Sequence, residues 1–255
     1  MILFSKGRFH ERPVELDPTQ PAFRFGAGFF ETICWNGTRP CHLELHLDRI
    51  FHSLRAHGYS YETVDFLPII QKLAKANGLE GEFARVNIFY PAEEPEAHPV
   101  VLIAPYEHKP YKAYRLCLCA DSHVSPLNAH KTTSYMFFNL AMRQARSRGF
   151  DDTALVDFDG QILESTTGAV VLEKGGELVE MDSPHRLDST ALKLAKRVLD
   201  IVPQKVFVDD LPSYRHAYIL NSLVGMRPIV AIGEIAFVPN EERCTPVTEL
   251  ALEMG

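Results

Sequence analysis

The chain has 255 residues, 46% of them hydrophobic, enough for the core of one large domain or two modest ones. Its 26 basic and 33 acidic residues leave a formal charge of −7, which argues against a nucleic acid or anionic membrane held by bulk charge. Five cysteines show neither CxxC spacing nor a partnered Cys/His set, so no metal is expected, and they read as reduced thiols of a cytoplasmic protein.

In chain order, MILFSKGRFHER has too short an apolar stretch for a secretion signal, and no later run reaches membrane-spanning length; a soluble, unprocessed chain is expected. MILF, a turn at SKG, and FFETICW before NGT predict antiparallel strands, with Asn36-Gly37 as a hairpin signal. A helix is predicted from about Leu43, where Leu43, Leu47, Ile50, Phe51 and Leu54 form an apolar stripe and Arg49 lies off it. A second helix runs roughly from Val64 to Asn77 and stops at Gly78, followed by strands at ARVNIFY and PVVLIAPY. The polar stretch EHKPYKAY, residues 107–114, is interrupted by Pro110 and predicts a linker.

Beyond the linker, RLCLCA predicts a strand, and a helix follows HKTTSY and stops at Gly149. TALVDF, QILES, AVVLE and ELVEM read as a meander with turns at Asp159-Gly160 and Gly175-Gly176. STALKLAKRVLD is predicted helical, capped by Asp188 or Ser189; HAYILNS and RPIVAIG are strands, and a last helix lies near VTELALEM. Hairpins segregated from helices in two segments indicate an α+β fold, divided into residues 1–110 and 111–255. Neither GxGxxG nor GxxxxGK[ST] occurs, and there is no internal repeat.

Several residues have chemistry worth weighing. A lysine becomes nucleophilic when desolvation or a nearby cation lowers its pKa, and then condenses with an aldehyde to a Schiff base. Lys131, in HKTTSY, is a candidate, although a solvated charge at a helix start is the ordinary reading of such a residue. Tyr135, four residues on, shares its face if the helix has begun. Glu164, closing an apolar strand, suits a protonated ring nitrogen, and Thr166 and Thr167 in the following STTG suit a phosphate. Ser222 in NSLVGMRP and Arg49 are further anion candidates. Taken singly, each is better explained as a turn, an edge strand or a solvated helix residue.

Together they form a known pattern. FRFGAGFFETICWNGTRPCHLELHLDRI, residues 23–50, resembles the opening signature of the class IV aminotransferase family, and HKTTSY, DDTALVDFDGQILESTTG and NSLVGMRPIVAIG resemble its later blocks in the same order. The resemblance implies a fold type IV pyridoxal phosphate enzyme, similar to D-amino-acid aminotransferases, with a small N-terminal α/β domain and a larger cofactor-binding C-terminal domain built on a mainly antiparallel sheet or barrel. It implies that Lys131 carries pyridoxal 5'-phosphate, that Tyr135 bonds the ring hydroxyl, and that Glu164 faces the ring nitrogen. Arg49, Ser222, Leu223 and the region around Ser189 and Thr190 would bind the phosphate, and Lys131 would serve as acid and base. It also implies a homodimer.

Within the family, Phe25-Gly26-Ala27-Gly28 replaces a common Tyr-Gly-Asp-Gly, removing a hydroxyl and a carboxylate beside the substrate. The short chain, the form of the last block and a substrate with two carboxylates favour 4-amino-4-deoxychorismate lyase, which releases pyruvate and 4-aminobenzoate for folate synthesis. Phe25, Arg24, Arg85 and Arg227 are its substrate candidates. The alternatives are an amino-acid aminotransferase of branched-chain or D-amino-acid type and, in another class, a non-catalytic ligand binder; a plain adaptor lacks any tail, repeat or heptad in support.

Overall fold

The computed structural model describes residues 1–11, 14, 15 and 17–254. The chain divides into two compact units, the first of residues 1–108 with 130–135, the second of 109–129 with the chain from 136 onward.

The first unit contains Leu3–Ser5 (β1), Arg8–His10 (β2), Pro21–Phe25 (α1), Gly28–Asn36 (β3), Leu43–Ala56 (α2), Phe66–Ala76 (α3), Phe83–Pro91 (β4) and Val100–Pro105 (β5). Its sheet has the order β2-β1-β5-β4-β3 and is antiparallel throughout. Alternation along β3 and its register with β4 put Phe29, Ile33 and Trp35 beside Tyr90, Val86 and Ala84 on one face. That face packs on Ile50 and Leu54 of α2 and on Ile70 and Leu73 of α3. Helix α2 starts at His42, whose backbone is left-handed (φ 49°) and whose side chain makes no cap bond. A missing cap costs about 1 kcal/mol, whereas each fully buried Leu or Ile contributes about 1.5–3 kcal/mol, so packing, not capping, sets where this helix forms.

The second unit contains Tyr114–Leu118 (β6), Met136–Ser147 (α4), Asp152–Val156 (β7), Ile162–Ser165 (β8), Ala169–Lys174 (β9), Glu177–Met181 (β10), Thr190–Ala195 (α5), Ile201–Gln204 (β11), His216–Asn221 (β12), Gly225–Ile232 (β13), Ile235–Ala236 (β14) and Glu241–Leu252 (α6). Its sheet runs β11-β10-β9-β12-β13-β6-β7-β8, with β14 beside β13. Pairing is mainly antiparallel, but β10 with β11, β13 with β6 and β6 with β7 run parallel. Val170, Leu172, Ala217 and Ile219 enter one core cluster, and their neighbours Ala169, Val171, Tyr218 and Leu220 enter another. A sheet buried on both faces explains why AVVL and YIL are unbroken apolar runs.

The architecture is the predicted α+β fold, with local differences. α1 and β2 were not expected. STALKLAKRVLD is helical only through Ala195; the chain then turns, and Ile201–Gln204 joins β10 as an edge strand that tolerates Pro203. α6 begins at Glu241, earlier than VTELALEM suggests, because Asn240 accepts from the Arg243 amide. The predicted boundary at 110/111 would assign residues 130–135 to the second domain, whereas they belong to the first unit. The reason is the edge of β3: Phe30 N donates to Lys131 O (2.9 Å) and Thr133 N to Gly28 O (2.9 Å), so a short strap occupies an edge that would otherwise be unpaired. No helix among the described residues is long and apolar enough to cross a membrane.

Candidate active site

In the first unit the site residues gather around β3. Its first residue, Gly28, has φ 143° and lies so close to the neighbouring strand that a Cβ would stand 2.5 Å from the Tyr90 carbonyl oxygen. Only glycine fits there. Thr133 Oγ1 donates to the Gly26 carbonyl (2.6 Å), fastening the strap to the loop between α1 and β3. Lys131 Nζ lies 4.5 Å from the ring centroid of Phe30 and 5.4 Å from that of Tyr135. Tyr135 meets Phe30 edge to face at 5.4 Å, and Phe30 stacks on Phe89 at 5.6 Å. The structure therefore brings Lys131 and Tyr135 together, but not as one turn of helix: α4 starts only at Met136, and the strap's pairing with β3 holds residues 131–135 out of it.

Arg49 corrects the reading of α2. It faces the sheet, 9% exposed, instead of solvent, and its Nε and Nη2 each donate to Glu31 at 2.7 Å. His46, one turn earlier and 2% exposed, places Nδ1 2.7 Å from Glu31 Oε2. Burial alone would raise the Glu31 pKa, but the Arg49 charge and His46 outweigh it and hold the carboxyl at about 2. Burial lowers the His46 pKa against the pull of Glu31, with Arg49 and Lys131 adding repulsion, so the imidazole is neutral near pH 7. Sequence reasoning passed over Glu31 and His46. The available signal was β3's alternation, which sets Glu31 in register with the core residues Phe29, Ile33 and Trp35, where a charge requires a partner.

The other candidates in this unit are exposed. Arg24 and Phe25 lie on α1 with the guanidinium 5.0 Å from the Phe25 ring centroid. Arg85 lies on β4 opposite Cys34, two pleats from Phe89 and on the same face.

In the second unit, Glu164 is the last residue but one of β8, 7% exposed, and its Oε1 accepts from the Leu187 amide at 3.3 Å. The turn after it is closed by Ser165, whose Oγ donates to the Gly168 carbonyl and accepts from the Gly168 amide, both at 3.0 Å. A Cβ on Gly168 would stand 2.5 Å from the Leu220 oxygen. Thr166 and Thr167 spend their hydroxyl hydrogens on Asp152, which is 1% exposed: Thr166 donates to Oδ1, and Thr167 to Oδ2 at 2.6 Å. Asp152 was not foreseen; only its burial identifies it.

Ser189 accepts from the Leu192 amide (3.2 Å) as the cap of α5, and the Leu223 amide donates to Asn221 Oδ1 (3.0 Å). Thr190 Oγ1 and Ser222 Oγ are 3.0 Å apart, Thr190 being 2% exposed. One hydrogen serves that pair, so the other hydroxyl hydrogen is left to donate elsewhere. Arg227 is 4% exposed, with Nη1 donating to Met226 O (3.1 Å) and Thr248 Oγ1 (3.0 Å), which gives it a place in the unit's interior and not at its surface. The first unit thus offers an amine and a guanidinium held in plane, and the second a buried carboxylate and a hydroxyl pair with a spare donor, groups whose chemistry suits an aldehyde and an anion in the one case and a ring nitrogen and an anion in the other.

A sequence profile of the family described as amino-transferase class IV matches residues 28–232. No curated protein matches by sequence. Among solved structures, the branched-chain aminotransferase of the thermophilic archaeon Thermoproteus uzoniensis superposes with TM-score 0.86 at 17% identity, covering 99% of this chain and 95% of that one. A protein assigned as 4-amino-4-deoxychorismate lyase from Legionella pneumophila gives 0.84 at 17% identity, covering 94% and 96%. The pyridoxal-phosphate-bound form of a hypothetical aminotransferase from Mycobacterium tuberculosis gives 0.82 at 18%, covering 99% of each chain. Identities this low speak to fold alone, but a profile spanning both units and more than half the chain speaks to descent, and this chain belongs to the class IV aminotransferase family of pyridoxal-phosphate-dependent enzymes.

Proposed function

We propose that the chain is a 4-amino-4-deoxychorismate lyase, releasing pyruvate and 4-aminobenzoate for folate synthesis. The observation that carries the reading is the exposed pair of Arg24 and Phe25, with Phe25 and Ala27 standing where the family usually places a hydroxyl and a carboxylate. A flat ring beside a cation suits a cyclic, doubly carboxylated amine, and the missing carboxylate removes a source of repulsion. Arg85 is the candidate for the second carboxylate; Arg227, bonded within its own unit, is the weaker one.

When bound, pyridoxal phosphate supplies an aldehyde for the amine to join and a ring that withdraws electrons from the carbon bearing it. Lys131 is the residue that would hold the aldehyde carbon, Tyr135 the ring hydroxyl, and Glu164 the protonated ring nitrogen. Arg49 with the Thr190 and Ser222 hydroxyls would hold the phosphate. Glu31 fixes the plane of the Arg49 guanidinium through two bonds. Thr166 and Thr167 act through Asp152 to set the turn after Glu164, and Ser189 and Leu223 shape the α5 cap and the β12–β13 turn. With its amine free, Lys131 Nζ would take the proton from the carbon that bears the substrate's amine and would return it to the three-carbon group as that departs. The same reading makes the protein a cytoplasmic homodimer, which a mass measurement in solution tests for assembly.

Transamination is the second reading, favoured by the Thermoproteus structure, which covers 99% of this chain against 94% for the lyase-assigned one. The deciding experiment incubates purified holoenzyme with aminodeoxychorismate and no keto acid, and separately with L- and D-amino acids plus 2-oxoglutarate or pyruvate. Formation of 4-aminobenzoate with equimolar pyruvate supports the lyase; turnover only in the second set overturns it.

A further inference from the structure

His130 precedes Lys131 in the strap and has no part in the roles assigned so far. Its Nδ1 lies 2.9 Å from Ser53 Oγ, and Ser53 Oγ lies 3.1 Å from the carbonyl oxygen of Arg49, one turn back on α2. A carbonyl only accepts. Both contacts are therefore satisfied together when Ser53 donates to Arg49 O and His130 Nδ1–H donates to Ser53 Oγ, which puts the ring hydrogen on Nδ1. The ring is packed by His57, edge on at 4.5 Å, by His52 at 6.1 Å and by Phe29 at 6.1 Å. His57 Nδ1 is itself held 2.9 Å from the Ser53 carbonyl oxygen, so α2, its C-terminal cap and β3 all close on this one side chain.

We propose that His130 is a positioning residue for Lys131: its hydrogen bond to Ser53 ties the strap to the turn of α2 that carries Arg49, so that amine and guanidinium are held in one frame within the first unit. The inference rests on the reading of Lys131 as the cofactor amine. Burial first, and then the neighbouring His57 and His52, lower the ring's pKa from its ordinary value. The imidazole is neutral near pH 7, and a single tautomer can be observed.

The test uses the full chain and four variants: His130→Asn, which keeps an N–H donor where Nδ1 lies, His130→Leu and Ser53→Ala, which remove the bond, and Lys131→Ala. Two readouts apply, the tautomer of His130 by long-range proton–nitrogen NMR, and uptake of pyridoxal 5'-phosphate followed by its visible absorbance, with thermal unfolding run on every variant. The expected result is an Nδ1-protonated ring at pH 7, uptake weakened roughly tenfold in His130→Leu and Ser53→Ala, and uptake within about twofold of the parent in His130→Asn, the scale of one buried hydrogen bond. An Nε2-protonated ring, an Asn variant as impaired as the Leu variant, or a folded Leu variant with parental uptake overturns the proposal. Should His130→Leu fail to fold, the tautomer and the Ser53→Ala uptake decide. Persistence of the lysine-bound absorbance in Lys131→Ala would instead sink the assignment of Lys131 and leave the His130–Ser53 bond to be judged by the tautomer.

Discussion

Each unit buries a carboxylate that organises its neighbours, Glu31 in the first and Asp152 in the second, and these two are satisfied in opposite ways. Glu31 in the first unit is fully enclosed and meets a cation, accepting two bonds from Arg49 and facing His46. Among the described residues, Asp152 in the second meets only neutral donors, the hydroxyls of Thr166 and Thr167 and the amide of Thr153 at 2.7 Å. A charge matched by a charge tolerates complete burial but fails badly when one partner is lost; a charge matched by dipoles degrades more gently, because each donor carries a smaller share. The first arrangement fixes a guanidinium in place, and the second fixes a turn. In both cases the carboxylate sets a neighbour that the proposed chemistry uses.

The contrast is broken most directly by Arg49→Met, which leaves Glu31 buried beside a neutral imidazole and should cost about 3–5 kcal/mol of stability in urea unfolding. The penalty should be larger at pH 8 than at pH 6, because without Arg49 the His46 ring gains affinity for a proton and restores a cation beside Glu31. An equal loss at both values would show that His46 does not respond. Asp152→Ala ranks next, at about 2–3 kcal/mol, for stranding the Thr166 and Thr167 hydroxyls and an amide; a loss as large as that of Arg49→Met would erase the distinction.

Acid sharpens the comparison. The Glu31 carboxyl is held at about 2, below its ordinary 4.5, so the folded state binds fewer protons than the unfolded chain in that interval. Its contribution to stability is thus complete above about pH 4.5 and is lost as pH falls toward 2. Glu31→Gln should flatten the stability curve in that window, and a slope unchanged from the parent would refute the assignment. The smallest effect belongs to Lys193→Ala, which removes an ion pair with Asp188 in which both side chains are largely exposed; a change within about 0.5 kcal/mol is expected.

Much of this molecule follows from short-range pattern. The stripe of α2, the Gly-closed hairpins and the ordered family blocks are written in neighbouring residues, since period, turn chemistry and motif spacing act over a few positions. That is why the α+β class and the family were legible, together with the choice of Lys131 and Glu164 as residues to examine. What only the tertiary structure decided concerns partners distant in the chain. Glu31 selects Arg49 across eighteen positions, Thr166 reaches Asp152 across fourteen, and His130 meets Ser53 across seventy-seven. A stripe count placed Arg49 outside the apolar face, because such a count treats every polar side chain as solvent-seeking. Burial of a charge depends on whether another element delivers its complement, and no local window contains that element. The strap shows the same limit: residues 131–135 have helical spacing, yet the edge of β3 offers backbone hydrogen bonds that hold them out of a helix.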